Sequence, residues 1–319
     1  MSSTGPKTSS ESTEVRDLLV KDPKGLVVLQ VGLLVTLYFR EGHTQQVRER
    51  VARCFEAYRT LCGPRLKWAH PSKRGFQKLD GPPDMDPARF LREPDPDGRF
   101  EASGWEFYWH GGAQKEEASD LRVRAMGAPN RRGDELGFFS ASLPLSWFLD
   151  HEGNFPSLVT QWCQTLLPLH GYGGIGLIES PRLSVAQSHG ASAYALARRF
   201  PGLELDDPTT HILYLKDGIK GGNWLTVLST AYVNAVGGAQ PLTRKLGDGF
   251  EFHPYSEGVV VQAGPTPELG DVNRRIEPVR YRELARLLRP LRPQVHGGFQ
   301  GFGLTREKSE EWLARFDEK

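Results

Sequence analysis

Gly171, Gly173 and Gly176 fit the spacing G-x-G-x-x-G that can cradle a dinucleotide phosphate. That chemistry needs a strand before the glycines and a helix after them, so that the phosphate meets the helix N-terminus. Here the order is reversed: an amphipathic helical pattern precedes the glycines and a strand pattern follows. They are therefore expected to form a glycine-rich turn that closes a helix. The chain has neither a G-x-x-x-x-G-K-[ST] loop nor a G-x-S-x-G elbow.

Nine histidines raise the question of a metal, but none falls in an H-E-x-x-H or H-x-x-E-H pattern. The densest cluster, Asp150-His151-Glu152, lies between a strand pattern and a helix cap at Asn154, which suits a solvated turn better than a ligand set. His110-Gly111-Gly112 and His296-Gly297-Gly298 are expected to be loops. Of the three cysteines, Cys54 and Cys163 sit on apolar helix faces, where cysteine acts as a small hydrophobe. Cys62, at a helix end, is expected to be partly exposed, and no histidine pairs with it in sequence. No catalytic residue, metal ligand or cofactor is expected. A triad gathered from distant positions leaves no trace in spacing, so a hydrolase stays open as an alternative, as does a small-ligand-binding protein.

Charge singles out another segment. From Asp80 to Glu101 there are seven acids against three arginines, with five prolines that make the stretch loop-like. A stiff acidic loop can take the place of phosphates in a basic cleft and steer association. Asp84, Asp86, Glu93, Asp95 and Asp97 are accordingly the candidate partner-binding residues, although charge runs are more often solvated surface.

Over the whole chain, 40 Lys+Arg nearly cancel 39 Asp+Glu, so bulk charge argues against nucleic acid as a direct partner. An odd cysteine count without a C-x-x-C pair argues against a disulfide framework and a cysteine zinc site. The first 17 residues have no apolar core of a signal peptide. The longest apolar stretch, Leu26 to Phe39, is shorter than the ~20 residues a spanning helix needs. A cytoplasmic protein that does not engage membranes is expected.

Residues 1–24 read as a flexible tail and 25–319 as one domain. The stretch from Leu26 to Arg40 is expected to be a long buried strand. Val47, Val51, Cys54, Phe55, Tyr58, Leu61 and Cys62 line one face of a following helix, with Arg48, Glu49, Arg50, Arg53 and Arg59 opposite and Gly63-Pro64 as its stop. Residues 65–69 return as a strand. A similar unit recurs at 136–149 (strand), Asn154 to Leu167 (helix, with Pro156 in its first turn) and 172–179 (strand). Further strands are expected at 105–109, 121–125, 224–229, 250–253 and 258–262, with helices at 185–200, 280–291 and from the cap Thr305 onward. The fold class that follows is α+β: a mixed, mostly antiparallel sheet with packed helices and a strand–helix–strand pseudo-repeat.

The C-terminal third carries a resemblance. Gly264-Pro265-Thr266-Pro267-Glu268-Leu269-Gly270-Asp271-Val272-Asn273-Arg274, then Tyr281-Arg282-Glu283-Leu284-Ala285, Gly301-Phe302 and Glu311 to Asp317, closely resemble the ending of one bacterial family. Ile219 to Thr226 and Gly173 to Glu179 match it as well. It is the type VI immunity family for VRR-NUC nuclease effectors, and the similarity runs from about Leu26 to Asp317. The resemblance implies inhibition of a cognate VRR-NUC nuclease effector by direct binding, without a cofactor; homo-oligomerisation stays open. Within the shared motifs, Asn223-Trp224 are expected to anchor a strand, and Asn273 and Arg274 to satisfy backbone carbonyls or a carboxylate.

Overall fold

Val27–Arg40 form β2, a 14-residue strand whose alternate side chains face two different environments. Leu33, Val35, Leu37 and Phe39 join the main apolar cluster, while Thr36 and Tyr38 point the other way. The computed structural model describes residues 18–71, 75–80, 86–93, 104–129, 133–151 and 154–317.

In chain order the strands are β1 (Leu19–Lys21), β2, β3 (Trp68–Pro71), β4 (Gln77–Lys78), β5 (Trp105–His110), β6 (Arg122–Gly127), β7 (Leu136–Leu143), β8 (His170–Glu179), β9 (Glu204–Leu205), β10 (Leu225–Ser229), β11 (Phe250–Tyr255) and β12 (Gly258–Ala263). The helices are α1 (Gln45–Cys62), α2 (Pro87–Arg92), α3 (Leu145–Asp150), α4 (Phe155–Leu166), α5 (Leu183–Ser188), α6 (Gly190–Arg199), α7 (Pro208–His211), α8 (Thr230–Ala235), α9 (Ala239–Leu246), α10 (Val279–Leu288) and α11 (Arg306–Leu313).

Among the described residues the strands form one sheet in the order β11-β12-β10-β8-β2-β7-β6-β5-β3-β4, with β1 beside β2 and β9 beside β8. Every pairing is antiparallel except β8 with β9. The mixed α+β architecture read from the sequence is the one observed. In both strand–helix–strand units the flanking strands run parallel with antiparallel strands between them. β7, β6 and β5 separate β2 from β3, whereas β2 alone separates β7 from β8.

The main core lies between the sheet and α1, α4 and α10. Phe55 of α1 meets Phe107 and Trp109 edge-on at 5.3 and 5.0 Å, and its full burial is worth roughly 1.5–3 kcal/mol. Thr44 caps α1 by accepting from the Val47 N–H, and Gly63 ends it with φ +54. A second cluster joins the start of β2 to α6 and α11 through Leu29, Val31, Ala193, Ala197, Phe299 and Trp312.

Several local expectations are corrected. The sheet starts earlier than residue 25, because Leu19–Lys21 of the expected tail pair with β2; residues 1–17 lie outside the described residues. Pro144 ends β7 at Leu143, and residues 145–150 are helical rather than strand. The helix expected at 185–200 is two, meeting at His189. Arg48, assigned to the polar side of α1, is buried. The glycines at 171, 173 and 176 form no turn, since they lie within β8. A Cβ at Gly171 would come within 2.5 Å of the Thr36 carbonyl oxygen, and one at Gly176 within 2.7 Å of the Leu34 side chain. Those glycines serve close strand packing rather than phosphate.

Candidate partner-binding surface

Of the five carboxylates expected to meet a partner, Asp84, Asp95 and Asp97 lie outside the described residues, while Asp86 and Glu93 bracket α2. The segment is thus not loop throughout. Pro87 opens a helix whose Pro87, Ala88 and Leu91 are buried, and α2 packs on α1. Asp86 Oδ1 accepts from the Ala88 N–H at 3.0 Å, and its Oδ2 accepts from Arg59 Nη1 at 2.7 Å. Glu93 Oε1 accepts from Arg89 Nε at 2.9 Å. Arg92 donates to Glu49 at 2.7 Å and to Glu56 at 2.6 Å, and these bonds hold both carboxylates below their usual range. All these side chains are about a third or more exposed, so each pair stabilises by ~1 kcal/mol at most. The described part of the segment is a charge-balanced ladder.

A dense cluster of charge lies inside the fold, and sequence reasoning missed it. Alternation along β6 sends Val123 and Ala125 into the apolar core and Arg122 and Arg124 to the opposite face. There they meet Asp206, just after β9. The Asp206 carboxylate accepts from Thr36 Oγ1 (2.7 Å) and the Tyr172 hydroxyl (2.8 Å) on Oδ1. Its Oδ2 accepts from Ser140 Oγ (2.9 Å) and from Arg122 and Arg124 Nη2 (3.0 Å each). Burial alone would raise its pKa, but Arg124, Arg122 and Lys220 outweigh that and hold it well below the usual carboxylate range. Arg122 Nη1 also donates to Glu179 at 3.0 Å.

A second node adjoins the first. Lys220 bonds Glu204 and the Leu205 carbonyl, with its ammonium 4.5 Å from the Tyr172 ring centre, 5.0 Å from Phe299 and 5.3 Å from Trp312. Burial lowers the Lys220 pKa, an effect opposed by Glu204. Asn223 Nδ2 donates to the other Glu204 oxygen, and Trp224 stacks on Phe155 at 6.1 Å, so this pair anchors the start of β10 as expected.

The three cysteines and four of the histidines are buried, and His110, His211 and His296 each keep a buried ring nitrogen without a hydrogen-bond partner. His151 stacks on Trp147 at 4.2 Å, and its Nδ1 lies 2.8 Å from the Trp147 carbonyl oxygen; Glu152 of that cluster lies outside the described residues. His110 ends β5 and is buried, as is His296; burial pushes His110, His170 and His296 down to about 4. Cys62 is buried rather than partly exposed, and burial pushes its thiol up to about 11. Among the described residues no group of three or more His, Cys, Asp or Glu could hold a metal ion.

The C-terminal motif is braced from within. The Glu268 N–H donates to the Tyr281 hydroxyl at 2.8 Å, and Arg280 Nη1 bonds the Glu268 carboxylate. Asp271 is buried, accepts from Arg199 Nη2 at 2.9 Å and from the Asn273 N–H at 2.9 Å, and lies 3.8 Å from Arg274. Arg274 therefore meets a carboxylate, whereas the Asn273 side chain is exposed.

A family model described as type VI immunity for VRR-NUC matches residues 50–316. A solved structure described as a Pseudomonas aeruginosa T6SS protein has the same fold. It is 24% identical, with a TM-score of 0.83 over 98% of this chain and 91% of that one. No curated protein matches the chain. Among the described residues no helix is long and apolar enough to cross a membrane.

Proposed function

The chain belongs to the type VI immunity family for VRR-NUC, and from that membership we propose that it binds and inhibits a cognate VRR-NUC nuclease effector. The observation that carries the reading is the family match, which runs from within α1 to residue 316 and takes in every strand after β2. The chemistry supports binding over catalysis. Part of the chemistry that left a hydrolase open in the sequence is engaged inside the fold. Asp206 spends all its accepting capacity on five donors, and the three cysteines are buried with raised pKa values.

Inhibition would proceed by occluding the DNA-binding or active site of the effector, in the cytoplasm and without a cofactor or direct contact with nucleic acid. A cleft that holds phosphates is basic, so carboxylates of the segment containing Asp84, Asp86, Glu93, Asp95 and Asp97 are the proposed contacts there. The test is co-expression of the chain with a VRR-NUC effector encoded beside it. Co-purification of the two, with loss of plasmid cleavage in the complex, is the expected result. An effector that neither binds the chain nor is inhibited by it would sink the reading.

A further inference from the structure

We propose that residues 293–317 form a cap that acid releases from the sheet, with His211 and His296 in its seam as the groups that sense the proton. The inference goes beyond the immunity reading and does not rest on it.

The attachment of the cap sets it apart from the rest of the fold. Among the described residues, no backbone–backbone hydrogen bond ties 293–317 to the remainder of the chain, and no strand lies within it. Side chains hold it in place. Phe299, Phe302 and Trp312 enter the second apolar cluster beside Ala193, Leu203 and Leu205. Asp207 Oδ2 accepts from the Gly301 N–H at 2.8 Å, and Arg315 Nε donates to the Pro201 carbonyl at 2.7 Å. A unit fastened in this way can lift while the sheet keeps its own hydrogen bonds.

The seam runs beneath Phe299. His211 meets the Phe299 ring edge-on at 5.1 Å, and Trp312 meets it at 5.0 Å from within the cap. The Lys220 ammonium lies 5.0 Å from the centre of the same ring. His211 is fully buried, and neither of its ring nitrogens has a hydrogen-bond partner. His296 Nε2 and Trp312 Nε1 are also buried and unpartnered. On the outer side Tyr214 lies so close over Gly297 that a Cβ there would meet its ring at 2.5 Å. Tyr214 is 38% exposed and Val295 58%, so the seam ends at the surface.

A proton arriving at this seam finds no anion free to receive it. Lys220, Asp206 and His296 face His211, and Asp207 caps its helix. Arg292 and Lys220 face His296, while Arg124 and Glu179 face Asp207 from the sheet. Asp206 already accepts five hydrogen bonds, and Asp207 holds Thr210 and Gly301. Glu204 is engaged by Lys220 and Asn223, with Arg315 at 3.8 Å, and Asp317 by Arg292 at 2.7 Å. Two imidazolium ions would therefore join Lys220, Arg292 and Arg315 in one buried cluster. Burial and Lys220 hold His211 well below its usual value against the pull of Asp206, and burial with Arg292 pushes His296 down to about 4. Once the cap lifts, both rings take up protons near pH 6.5, so acid favours the open form. Between pH 7 and 5 each histidine multiplies the opening equilibrium about 25-fold, and the two together several-hundred-fold.

The test is amide exchange of the full chain at pH 7, 6 and 5, with rates corrected for the intrinsic pH dependence so that protection is compared directly. The amides of Gly301, Phe302 and Leu304 should lose at least about a hundred-fold in protection between pH 7 and 5, while those of β2 and β8 stay far better protected throughout. His211→Leu and His296→Leu keep an apolar side chain in the seam without a titrating group, and each should shrink that loss about ten-fold or more. A loss below about three-fold in the parent chain would overturn the proposal. So would cap and β8 amides with equal protection at pH 5, since the opening would then be unfolding of the whole. Leucine variants whose cap keeps the full pH dependence would overturn it as well. Should a leucine variant fail to fold, the pH series of the parent chain decides on its own.

Discussion

Arg122 and Asp206 meet at 3.0 Å with neither side chain reached by solvent, although 84 residues of chain separate them. A buried pair of this kind is costly to remove one side at a time, because the charge left behind is uncompensated.

Asp206→Asn keeps the shape of the side chain and removes its charge. Arg122 and Arg124 then lose an anion they face at 3.0 Å, and the amide presents donors where the carboxylate only accepts. We expect a loss of about 3–5 kcal/mol in urea unfolding. A loss below about 1 kcal/mol would mean that solvent reaches this site.

Stability should fall steeply as pH drops from about 6.5 to 4. His110, His170 and His296 titrate near 4 in the fold, and His211 is held well below 6.5, all primarily through burial. The unfolded chain takes up those protons near pH 6.5, so in this window it binds more of them than the native state does. Each histidine then contributes a slope of up to ~1.4 kcal/mol per pH unit, with stability rising as pH rises. Asp206, depressed by its cations, adds a loss at lower pH, below the unfolded carboxylate value. Asp120 and Asp207, raised by burial, oppose the trend, but they are two against four histidines. Urea midpoints at pH 7, 5.5 and 4.5 measure this; equal midpoints would contradict it.

Asp95→Lys/Asp97→Lys tests the acidic segment. Charge-steered association weakens as salt screens it over ~8 Å at physiological strength. The double reversal should slow association with the effector about ten-fold at low salt, and by less at high salt, with the melting temperature unchanged. Association rates that match the parent chain at every salt concentration would remove this segment from the interface.

What sequence could show depended on how local the governing interaction was. The Val47, Val51, Phe55 stripe and the long apolar run of β2 announce a helix on a sheet, because each depends on periodicity alone. The glycines of β8 misled because their function, close approach to Thr36 and Leu34, depends on a neighbour more than 130 residues away in sequence. The Asp206 network was invisible for the same reason, since isolated charges read as surface. One signal was present: Arg122 and Arg124 alternate with Val123 and Ala125 in a stretch correctly expected to be a strand. In a sheet covered on both faces, such a pattern demands buried counter-charges. Within the acidic segment, sequence counts acids but not their partners, so the ion pairs of Asp86 and Glu93 appeared only in the fold.

The charge node also acts on mispaired sheets. Because side chains alternate with period two, a slip of β6 by one residue along β7 would turn Arg122 and Arg124 into the aromatic layer around Phe139. The same slip would leave Asp206 facing Val123. Two cations would be stranded in low dielectric, and both Asp206 and Glu179 would lose their arginines, a heavy penalty for a slipped register. Hydrophobic side chains alone tolerate such errors, as Val and Ala fit many neighbours. The buried ions thus act against a slipped register in a sheet that seats β2 between β7 and β8, strands from the middle of the chain.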